Sequence, residues 1–276
     1  MTSGTSLTSQ SIRRIIIDQA FRAHEGHIGS ALSIADVLVA LYRNVLSRVD
    51  VTDADRDLVI LSKGHAALAL YAALNLTGRL DDATLDTYGE DGSRLGVHPQ
   101  HLAPGVALTT GSLGHGLSVA VGAAMAARMQ GSRRRVYVIL SDAECNEGSV
   151  WEAIMFAAQR KVGNLTAIVD ANGQQALGST ASIVDMANMR ERWAAFGWDA
   201  HNVDGHDVDA LTNTMHGFKA EPNHPHIVVA RTVFAKGIPF MEGQLRWHYA
   251  SMTGDDHAQA IRALEEASSA LHSHER

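Results

Sequence analysis

The sequence predicts an α/β protein built on a doubly wound, mostly parallel sheet with helices on both faces. From Val136 onward, short apolar runs alternate with longer segments of helical periodicity, which is the pattern of parallel strands joined by crossover helices. The chain has 276 residues, of which 46% are hydrophobic and 19% charged, so it can bury a sizeable core. We predict a flexible N-terminus at residues 1–10 and a single domain over residues 11–276.

The first third of the chain predicts helices followed by one buried strand. Ser33 and Asp36 have the spacing of a capping box. In this motif the serine oxygen accepts from a backbone N–H at the start of the helix, and the acidic side chain accepts from the backbone N–H of the serine. A glycine after an apolar helical run is a common stop signal. The predicted elements are a helix at 11–23 that ends near Gly26, a helix from the capping box to about Ser47, a strand at 58–61 and a helix at 65–76 stopped by Gly78.

The remaining elements follow the alternation. Residues 114–129 have helical length but mostly small side chains, so we expect this helix to be deeply buried against a sheet or another chain. The loop at 235–253 is the longest irregular segment, and such loops in compact domains are usually functional. Further strands are predicted at 136–140, 165–170, 198–203 and 226–231, and further helices at 148–160, 185–196 and 207–219.

Bulk properties argue against several classes of protein. The formal net charge is -7, which disfavours nucleic-acid binding, and the run Arg133–Arg135 is more typical of a solvated turn. The longest apolar stretch, Val119–Ala127, is too short to span a bilayer. Cys145 is the single cysteine and no signal-peptide pattern opens the chain, so we expect a cytoplasmic protein without a membrane segment.

Two polar residues follow neighbouring strands of the predicted sheet. Asp142 comes after the strand at 136–140 and Asn172 after the strand at 165–170, so both are expected at the edge where such sheets bind ligands. Carboxylate and amide oxygens suit Mg²⁺, which completes its octahedron with water and phosphate oxygens. The alternative is structural: Asp142 would cap the helix beginning near Glu147, and Asn172 would form a turn with Gly173.

Glycines and histidines cluster in the predicted loops. The segment Gly111–Gly116 opens a helix in a way that lets a ligand approach backbone amides, although a close-packed helix start is an equally good reading. Histidines beside glycines favour a polar site that moves protons near neutral pH. No pair has the spacing and cysteine partners of a structural zinc site. The loop histidines are His24, His27, His65, His98, His101, His115 and His248.

Five segments together resemble the N-terminal half of transketolases, in the same order and with similar spacing. They are Gly26-His-Ile-Gly29, Leu61-Ser-Lys-Gly-His65, His98-Pro99, Gly111-Ser-Leu-Gly-His-Gly116, and Asp142 followed by Asn172-Gly173. The resemblance implies a thiamin diphosphate-binding fold and a transferase that uses thiamin diphosphate with Mg²⁺, or with Ca²⁺ or Mn²⁺. In that family this half binds the diphosphate and the metal, and a second half supplies the glutamate that activates the aminopyrimidine ring.

No second half follows in this sequence. The resemblance therefore implies the N-terminal subunit of a split transketolase, which would act with a separate C-terminal, pyrimidine-binding subunit in an α₂β₂ heterotetramer. Such an enzyme transfers a two-carbon ketol unit from a ketose donor, often a sugar phosphate, to an aldose acceptor.

The resemblance also implies roles for individual residues. The metal ligands would be Asp142, Asn172 and the main-chain carbonyl of Gln174, and Ala143 would lie at the diphosphate. Glu147 matches a glutamate at the subunit interface that links paired active sites, although an acid in the first helical turn is favourable without any ligand. The other matches are Gly111, Ser112 and Leu113 near the pyrimidine side, His65 and His248 at the diphosphate and reacting centre, and His27 and His98 facing the substrate.

Three departures from the family pattern bear on function. Ser141 and Ala143 flank Asp142 where the family usually has glycines, and if the second position needs a positive φ, alanine costs on the order of 1–2 kcal/mol. His115 replaces a common glutamine, and Tyr249 follows His248 where glycine is usual. These changes favour a specialised sugar or a biosynthetic ketol or acyl transfer.

Two alternative hypotheses of function remain. One is a catalytically degenerate subunit that keeps the fold and serves as a scaffold or regulator, which the replaced glycines at Ser141 and Ala143 favour. The other is a nicotinamide-binding Rossmann enzyme, which is disfavoured because no Gly-x-Gly-x-x-Gly segment follows an early strand with an acid about twenty positions later.

Overall fold

Five parallel strands form the central sheet of the protein, whose computed structural model describes residues 6–47, 53, 55–218 and 223–274. Along the sheet the order is β1, β2, β3, β7, β6, and every neighbouring pair is parallel. In chain order the strands are β1 (Leu58–Leu61), β2 (Val136–Ser141), β3 (Leu165–Ala171), the small antiparallel hairpin β4 (Gln174–Gln175) and β5 (Gly178–Ser179), β6 (Asp199–Asp204) and β7 (His226–Arg231).

Helices lie on both faces of this sheet, so the predicted fold class is confirmed. They are α1 (Ser9–Ala23), α2 (Ile28–Ser33), α3 (Ala35–Val39), α4 (Ala67–Leu76), α5 (Asp82–Leu85), α6 (Gly116–Met129), α7 (Gly148–Gln159), α8 (Thr180–Ile183), α9 (Met189–Ala195), α10 (Val208–Gly217) and α11 (Gly254–His274).

Side chains alternate between two hydrophobic cores because successive residues of a strand point to opposite faces. On β2, Tyr137 and Ile139 pack with α1 to α4, α10 and α11, whereas Val138 and Leu140 pack with α6, α7 and α9. The central strands are buried on both faces, which explains why they appear in the sequence as continuous apolar runs.

Strand register aligns the carboxyl ends of the central strands. Ser141 of β2 pairs with Asp170 of β3, and Asp170 pairs in turn with Ala230 of β7. The residues that follow, Asp142 and Asn172, therefore emerge side by side at one edge of the sheet, as the sequence predicts.

The predicted capping box is wrong. Ser33 is the last residue of α2, and its hydroxyl donates to the Ser30 carbonyl and to Asp170 instead of capping a helix. The side chain of Asp36 accepts from Arg13 and His206. The predicted second helix is observed as α3 followed by a π-helical turn at Ala40–Val45, and α2 precedes it as a separate short helix.

Within this chain the small-residue helix is buried on one face only, and its burial against another chain stays a prediction. One face of α6, including Leu117 and Ala124, packs on the sheet, but Val119 is 44% and Met129 86% exposed. The predicted helix at 185–196 is reduced to α9, and α11 was not predicted. The N-terminal boundary at residue 10 stays a prediction; residues 1–5 lie outside the described residues, and α1 begins at Ser9.

The segment at 235–253 is irregular, as predicted, apart from a short 3₁₀ turn at Leu245–His248. Within the described part of the chain, no helix is both long and apolar enough to cross a bilayer.

Candidate functional site

Four histidines from distant parts of the chain converge on one site. The ring centroid of His27 lies 5.8 Å from that of His65, 6.2 Å from that of His98 and 5.5 Å from that of His248. The rings of His65 and His248 are 5.8 Å apart. We call these four side chains the histidine cluster; all were predicted as site residues from the sequence.

Close backbone packing holds two of the histidines. His27 has a left-handed conformation, with φ 59°, and its N–H donates to the carbonyl of His248 at 3.0 Å. A Cβ on Gly26 would lie 2.4 Å from the carbonyl oxygen of Tyr249, so glycine is required for this approach. The 235–253 loop thus delivers His248 to the N-terminus of α2.

The cluster is held in its neutral form. Burial is the largest cause that lowers the pKa of each ring. It lowers the pKa of His248 to about 4, and the neighbouring His27 ring and Lys63 ammonium add to this shift because they disfavour a further positive charge. For His65, the pKa falls well below its ordinary value because burial is reinforced by the Lys63 ammonium. The buried Nδ1 of His248 has no hydrogen-bond partner among the described residues, so it is available to a ligand.

Asp142 lies at the carboxyl end of β2 and is almost fully buried. Its Oδ1 accepts from the N–H of Ala143 at 2.8 Å, and its Oδ2 accepts from the N–H of Gly173 at 2.9 Å and the Thr180 hydroxyl at 3.0 Å. Burial raises the pKa of this carboxyl to about 6, and the nearby negative charge of Asp170 adds to the shift. No basic side chain of the described residues pairs with it.

Asn172 and Gln174 sit directly beside this carboxylate. The amide of Asn172 donates to Asp170 at 2.8 Å, and its Oδ1 accepts from the N–H of Gln174 at 2.9 Å. The turn after β3 carries Asn172 and the predicted carbonyl ligand Gln174, and the N–H of Gly173 in this turn donates to Asp142 at the end of β2. The structure therefore brings Asp142, Asn172 and Gln174 together.

A buried ion pair connects the two parts of the site. The Lys63 ammonium, two residues before His65, donates to Oδ2 of Asp170 and to the Ser30 carbonyl. The same Asp170 oxygen holds the amide of Asn172. The histidine cluster and the predicted ligands Asp142 and Asn172 are thus joined through one lysine and one aspartate.

The residues that replace the expected glycines are accommodated without strain. Ala143 begins a 3₁₀ turn at Ala143–Asn146 and is not among the described residues with positive φ, so the expected backbone cost at this position is absent. The Ser141 hydroxyl accepts the N–H of Glu144 at 3.0 Å and so caps that turn.

The glycine-rich segment borders both parts of the site. A Cβ on Gly111 would lie 3.5 Å from the ring of His98, so this backbone passes the histidine cluster in ordinary contact. Gly111 and Ser112 are exposed, and Leu113 is half-buried. Glu147 is exposed at the start of α7, where its side chain makes no capping hydrogen bond.

Several residues that build the site were not selected from the sequence. Lys63 lies inside the Leu61–His65 segment of the family resemblance. Asp170 is a charged residue at the end of an apolar strand, and this pattern can be recognised in a sequence as a sign of a functional residue. Glu144 is an acidic residue two positions after Asp142. Thr180 carries no local signal, because its contact with Asp142 spans 38 positions.

A comparison with protein-family models matches residues 5–267 to the transketolase thiamine diphosphate-binding domain. The chain belongs to the transketolase family. It is 38% identical over 263 residues to an apulose-4-phosphate transketolase subunit of Phocaeicola vulgatus, covering 94% of this chain and 93% of that protein. It is 36% identical to a 6-deoxy-6-sulfo-D-fructose transketolase subunit of Clostridium sp., covering 92% and 94%.

Solved transketolases share the fold. The Campylobacter jejuni enzyme superposes with a TM-score of 0.87 at 28% identity, covering 93% of this chain and 42% of that chain. The Leishmania mexicana enzyme gives a TM-score of 0.81 at 26% identity, covering 96% and 45%. This transketolase-family chain thus spans less than half the length of the solved enzymes but nearly all of the proteins named as separate subunits.

The oxygens of this transketolase-family site have the capacity to bind a divalent cation. A carboxylate offers about four lone-pair positions and an amide oxygen two. Asp142 uses three and Asn172 uses one, which leaves an acceptor position on each. A buried carboxylate without a basic partner fits a cation that takes its remaining ligands from carbonyl, phosphate and water oxygens.

Proposed function

We propose that this chain is the diphosphate- and metal-binding subunit of a split transketolase. With a pyrimidine-binding partner subunit, it transfers a two-carbon ketol unit from a ketose or ketose phosphate donor to an aldose acceptor. The cofactor is thiamin diphosphate with Mg²⁺, for which Ca²⁺ or Mn²⁺ can substitute. A cytoplasmic α₂β₂ heterotetramer is part of the same proposal.

The observation that carries this proposal is that four converging histidines and a buried carboxylate without a basic partner are joined through the Lys63–Asp170 pair. Asp142, Asn172 and the Gln174 carbonyl would hold the metal, which in turn would hold the diphosphate. Gly111, Ser112 and Leu113 would line the cofactor further along the same edge, with Ala143 at the diphosphate and Glu147 at the contact between active sites.

Neutral imidazoles suit sugar chemistry. Each carries one N–H donor and one acceptor nitrogen, so it can bind a hydroxyl group and move a proton during bond cleavage and formation. We assign His27 and His98 to the substrate hydroxyls and His65 and His248 to the reacting centre. Thiamin diphosphate, when bound, supplies the nucleophile and the electron sink for carbon–carbon bond cleavage.

A specialised sugar is favoured over the general pentose phosphate pair. Two relatives named as separate subunits carry apulose 4-phosphate and 6-deoxy-6-sulfo-D-fructose in their names. In addition, Tyr249 lies against His27 and His248 where glycine is usual in the family. A kinetic screen in which xylulose 5-phosphate and ribose 5-phosphate are the best pair would contradict this part of the proposal.

The alternative of a degenerate scaffold loses its main support. It rests on Ser141 and Ala143, yet the serine caps a turn and the alanine has no positive φ. The carboxylate between them keeps its position at the end of β2.

The decisive experiment is a calorimetric titration of the chain and its partner subunit with thiamin diphosphate and Mg²⁺. Binding should require the metal and should be lost in Asp142→Ala, because the variant removes the charge that attracts the cation. Omitting the partner should weaken binding, since the pyrimidine side of the cofactor is then uncovered.

The matched control is Asp255→Ala, which removes an exposed carboxylate from the first turn of α11. It should bind as the wild type does. Metal-independent binding, or an equal loss of binding in both variants, would contradict the assignment of Asp142. If the wild-type complex does not bind the cofactor, the scaffold alternative would be favoured.

A further inference from the structure

Glu144 is a buried carboxylate that is not among the proposed metal ligands. Its side chain is fully buried, and it lies two residues after Asp142 in the 3₁₀ turn that follows β2. A buried charge of this kind is costly unless hydrogen bonds satisfy its oxygens. Its partners therefore indicate what it does.

Three donors from three different segments satisfy this carboxylate. Oε1 accepts from the N–H of Gly114 at 2.8 Å and from the hydroxyl of Ser62, at the end of β1. Oε2 accepts from the N–H of Ser141 at 3.3 Å, and the Glu144 N–H returns a bond to the Ser141 hydroxyl. The side chain thus ties the turn bearing Asp142 to the glycine-rich segment and to the strand beside it.

The glycine-rich segment is held tightly at this point. The carbonyl of Gly114 accepts from the Ser149 hydroxyl at 2.9 Å, so both of its backbone polar groups are bound. Gly114 has φ +87°, and a Cβ there would lie 2.6 Å from the Cβ of Glu147. A Cβ on Gly116 would lie 2.2 Å from the Ser62 hydroxyl. The backbone at Gly114 and Gly116 is therefore closely packed against the residues around the Asp142 turn.

From these contacts we infer that Glu144 is a positioning residue that sets the distance between the glycine-rich segment and the Asp142 turn. The inference rests on the proposed function, in which Gly111–Leu113 and Asp142 bind different ends of one cofactor. A ligand that touches both must match this distance, whereas a ligand that touches only the Asp142 turn need not. Glu144 therefore preorganises the site for the whole cofactor rather than for its diphosphate.

Two ligands separate this role from a general effect on stability. Inorganic pyrophosphate with Mg²⁺ tests the Asp142 turn alone, and thiamin diphosphate with Mg²⁺ tests the turn and the glycine-rich segment together. Each is titrated into the chain with its partner subunit by calorimetry, and thermal unfolding is followed for every variant.

Glu144→Ala should raise the Kd of thiamin diphosphate about tenfold, because it leaves buried donors unpaired, and should change the Kd of pyrophosphate by no more than about twofold. Glu144→Gln keeps an oxygen for Gly114 and Ser62 but cannot accept from Ser141, so its Kd for thiamin diphosphate should lie between those of the wild type and the alanine variant. If the alanine variant does not fold, the glutamine variant decides.

Cys145→Ala is the matched control. Cys145 is the adjacent buried residue of the same turn, and its thiol, a weak donor, makes one hydrogen bond to the Ser141 carbonyl at 3.5 Å. Thiamin diphosphate affinity should be unchanged in this variant.

Equal weakening of both ligands by the Glu144 variants, or a loss of thiamin diphosphate affinity in Cys145→Ala as large as theirs, would overturn the inference. So would Glu144 variants that bind thiamin diphosphate as tightly as the wild type. A wild-type complex that binds neither ligand would instead refute the proposed function, and the inference would fall with it.

Discussion

The ammonium of Lys63 and the carboxylate of Asp170 form an ion pair in which both side chains are wholly buried. The aspartate also accepts from the Ser33 hydroxyl and the Asn172 amide through Oδ2, and from the Thr232 hydroxyl through Oδ1. Such bonding offsets the desolvation of a buried pair, and removing one partner would leave an uncompensated charge. Each charge of the pair therefore depends on the other for compensation, and Asp170 orients Asn172.

Lys63→Met should lower the free energy of unfolding by about 3–5 kcal/mol because Asp170 is left buried and unpaired. Urea unfolding at neutral pH measures the change. The double variant Lys63→Met, Asp170→Leu should recover part of the loss, since neither charge remains.

Arg14→Met provides the comparison, because the Arg14–Asp18 pair is roughly half exposed. Its loss should cost less than about 1 kcal/mol. Similar costs for the buried and the exposed pair would show that Lys63 is not a significant partner of Asp170.

The sequence was most informative where local patterns decide the structure. The strand at 58–61 and the strand at 226–231 have the predicted bounds, because a buried parallel strand is a short continuous apolar run. The placement of Asp142 and Asn172 at adjacent strand ends followed from the same alternation. The histidine cluster was reachable through the family resemblance, since no local rule brings His98 to His248.

The sequence was least informative where distant contacts override local preference. Ser33 and Asp36 have capping-box spacing, yet Asp170, Arg13 and His206 provide stronger partners for them. Burial of α6 could not be judged either, because Ala and Gly suit both a core and an exposed face. The sheet side of α6 is buried as predicted, but small side chains do not show whether another chain covers its exposed face.

Gly29→Ala should destabilise the protein and displace the histidine cluster. A Cβ at Gly29 would lie 2.2 Å from the ring of Phe234, and that ring is parallel to the ring of His248 with centroids 6.1 Å apart. Overpacking of this kind costs about 1–3 kcal/mol. Urea unfolding gives the cost, and the imidazole resonances of His248 in NMR spectra should shift.

Gly122→Ala is the matched glycine substitution in α6, where a Cβ would meet nothing within 4 Å. It should stabilise the isolated chain by about 0.5–1 kcal/mol, because alanine is the better helix former. Destabilisation of equal size at both positions would mean that the contact with Phe234 is not the cause at Gly29.

Acid should destabilise the protein through the histidine cluster. The pKa of His248 is lowered from 6.5 to about 4, mainly by burial, so the unfolded chain binds a proton between these values and the folded chain does not. The stabilising contribution is complete above pH 6.5 and is lost as pH falls towards 4, by no more than about 3 kcal/mol for this residue. His27, His65 and His98 act in the same direction.

Urea unfolding at pH 7.5 and pH 5 measures this loss, and His248→Asn should make it smaller. The comparison concerns the pH dependence and not the absolute stability, which the variant also changes. His216→Asn removes an exposed histidine outside the cluster and serves as the control. A pH dependence that is the same in His248→Asn and the wild type would contradict the burial argument.

Tyr249 should determine how tightly the sugar binds. Its side chain is 63% exposed, and its ring centroid lies 5.5 Å from that of His27 and 4.7 Å from that of His248. A ring in this position can contact a substrate held by both histidines. Tyr249→Gly should therefore raise KM for the preferred sugar about three- to tenfold, in line with the loss of one aromatic contact, and should leave kcat nearly unchanged.

Steady-state kinetics of the complex with its partner subunit measure both constants. Tyr249→Phe keeps the ring and should stay close to the wild type, and Leu245→Ala removes an exposed side chain of the same loop as a control. A fall in kcat at constant KM in Tyr249→Gly would place the effect in the chemical step, because His248 would then have lost its position. An unchanged KM and kcat would show that the tyrosine ring lies outside the path of the sugar.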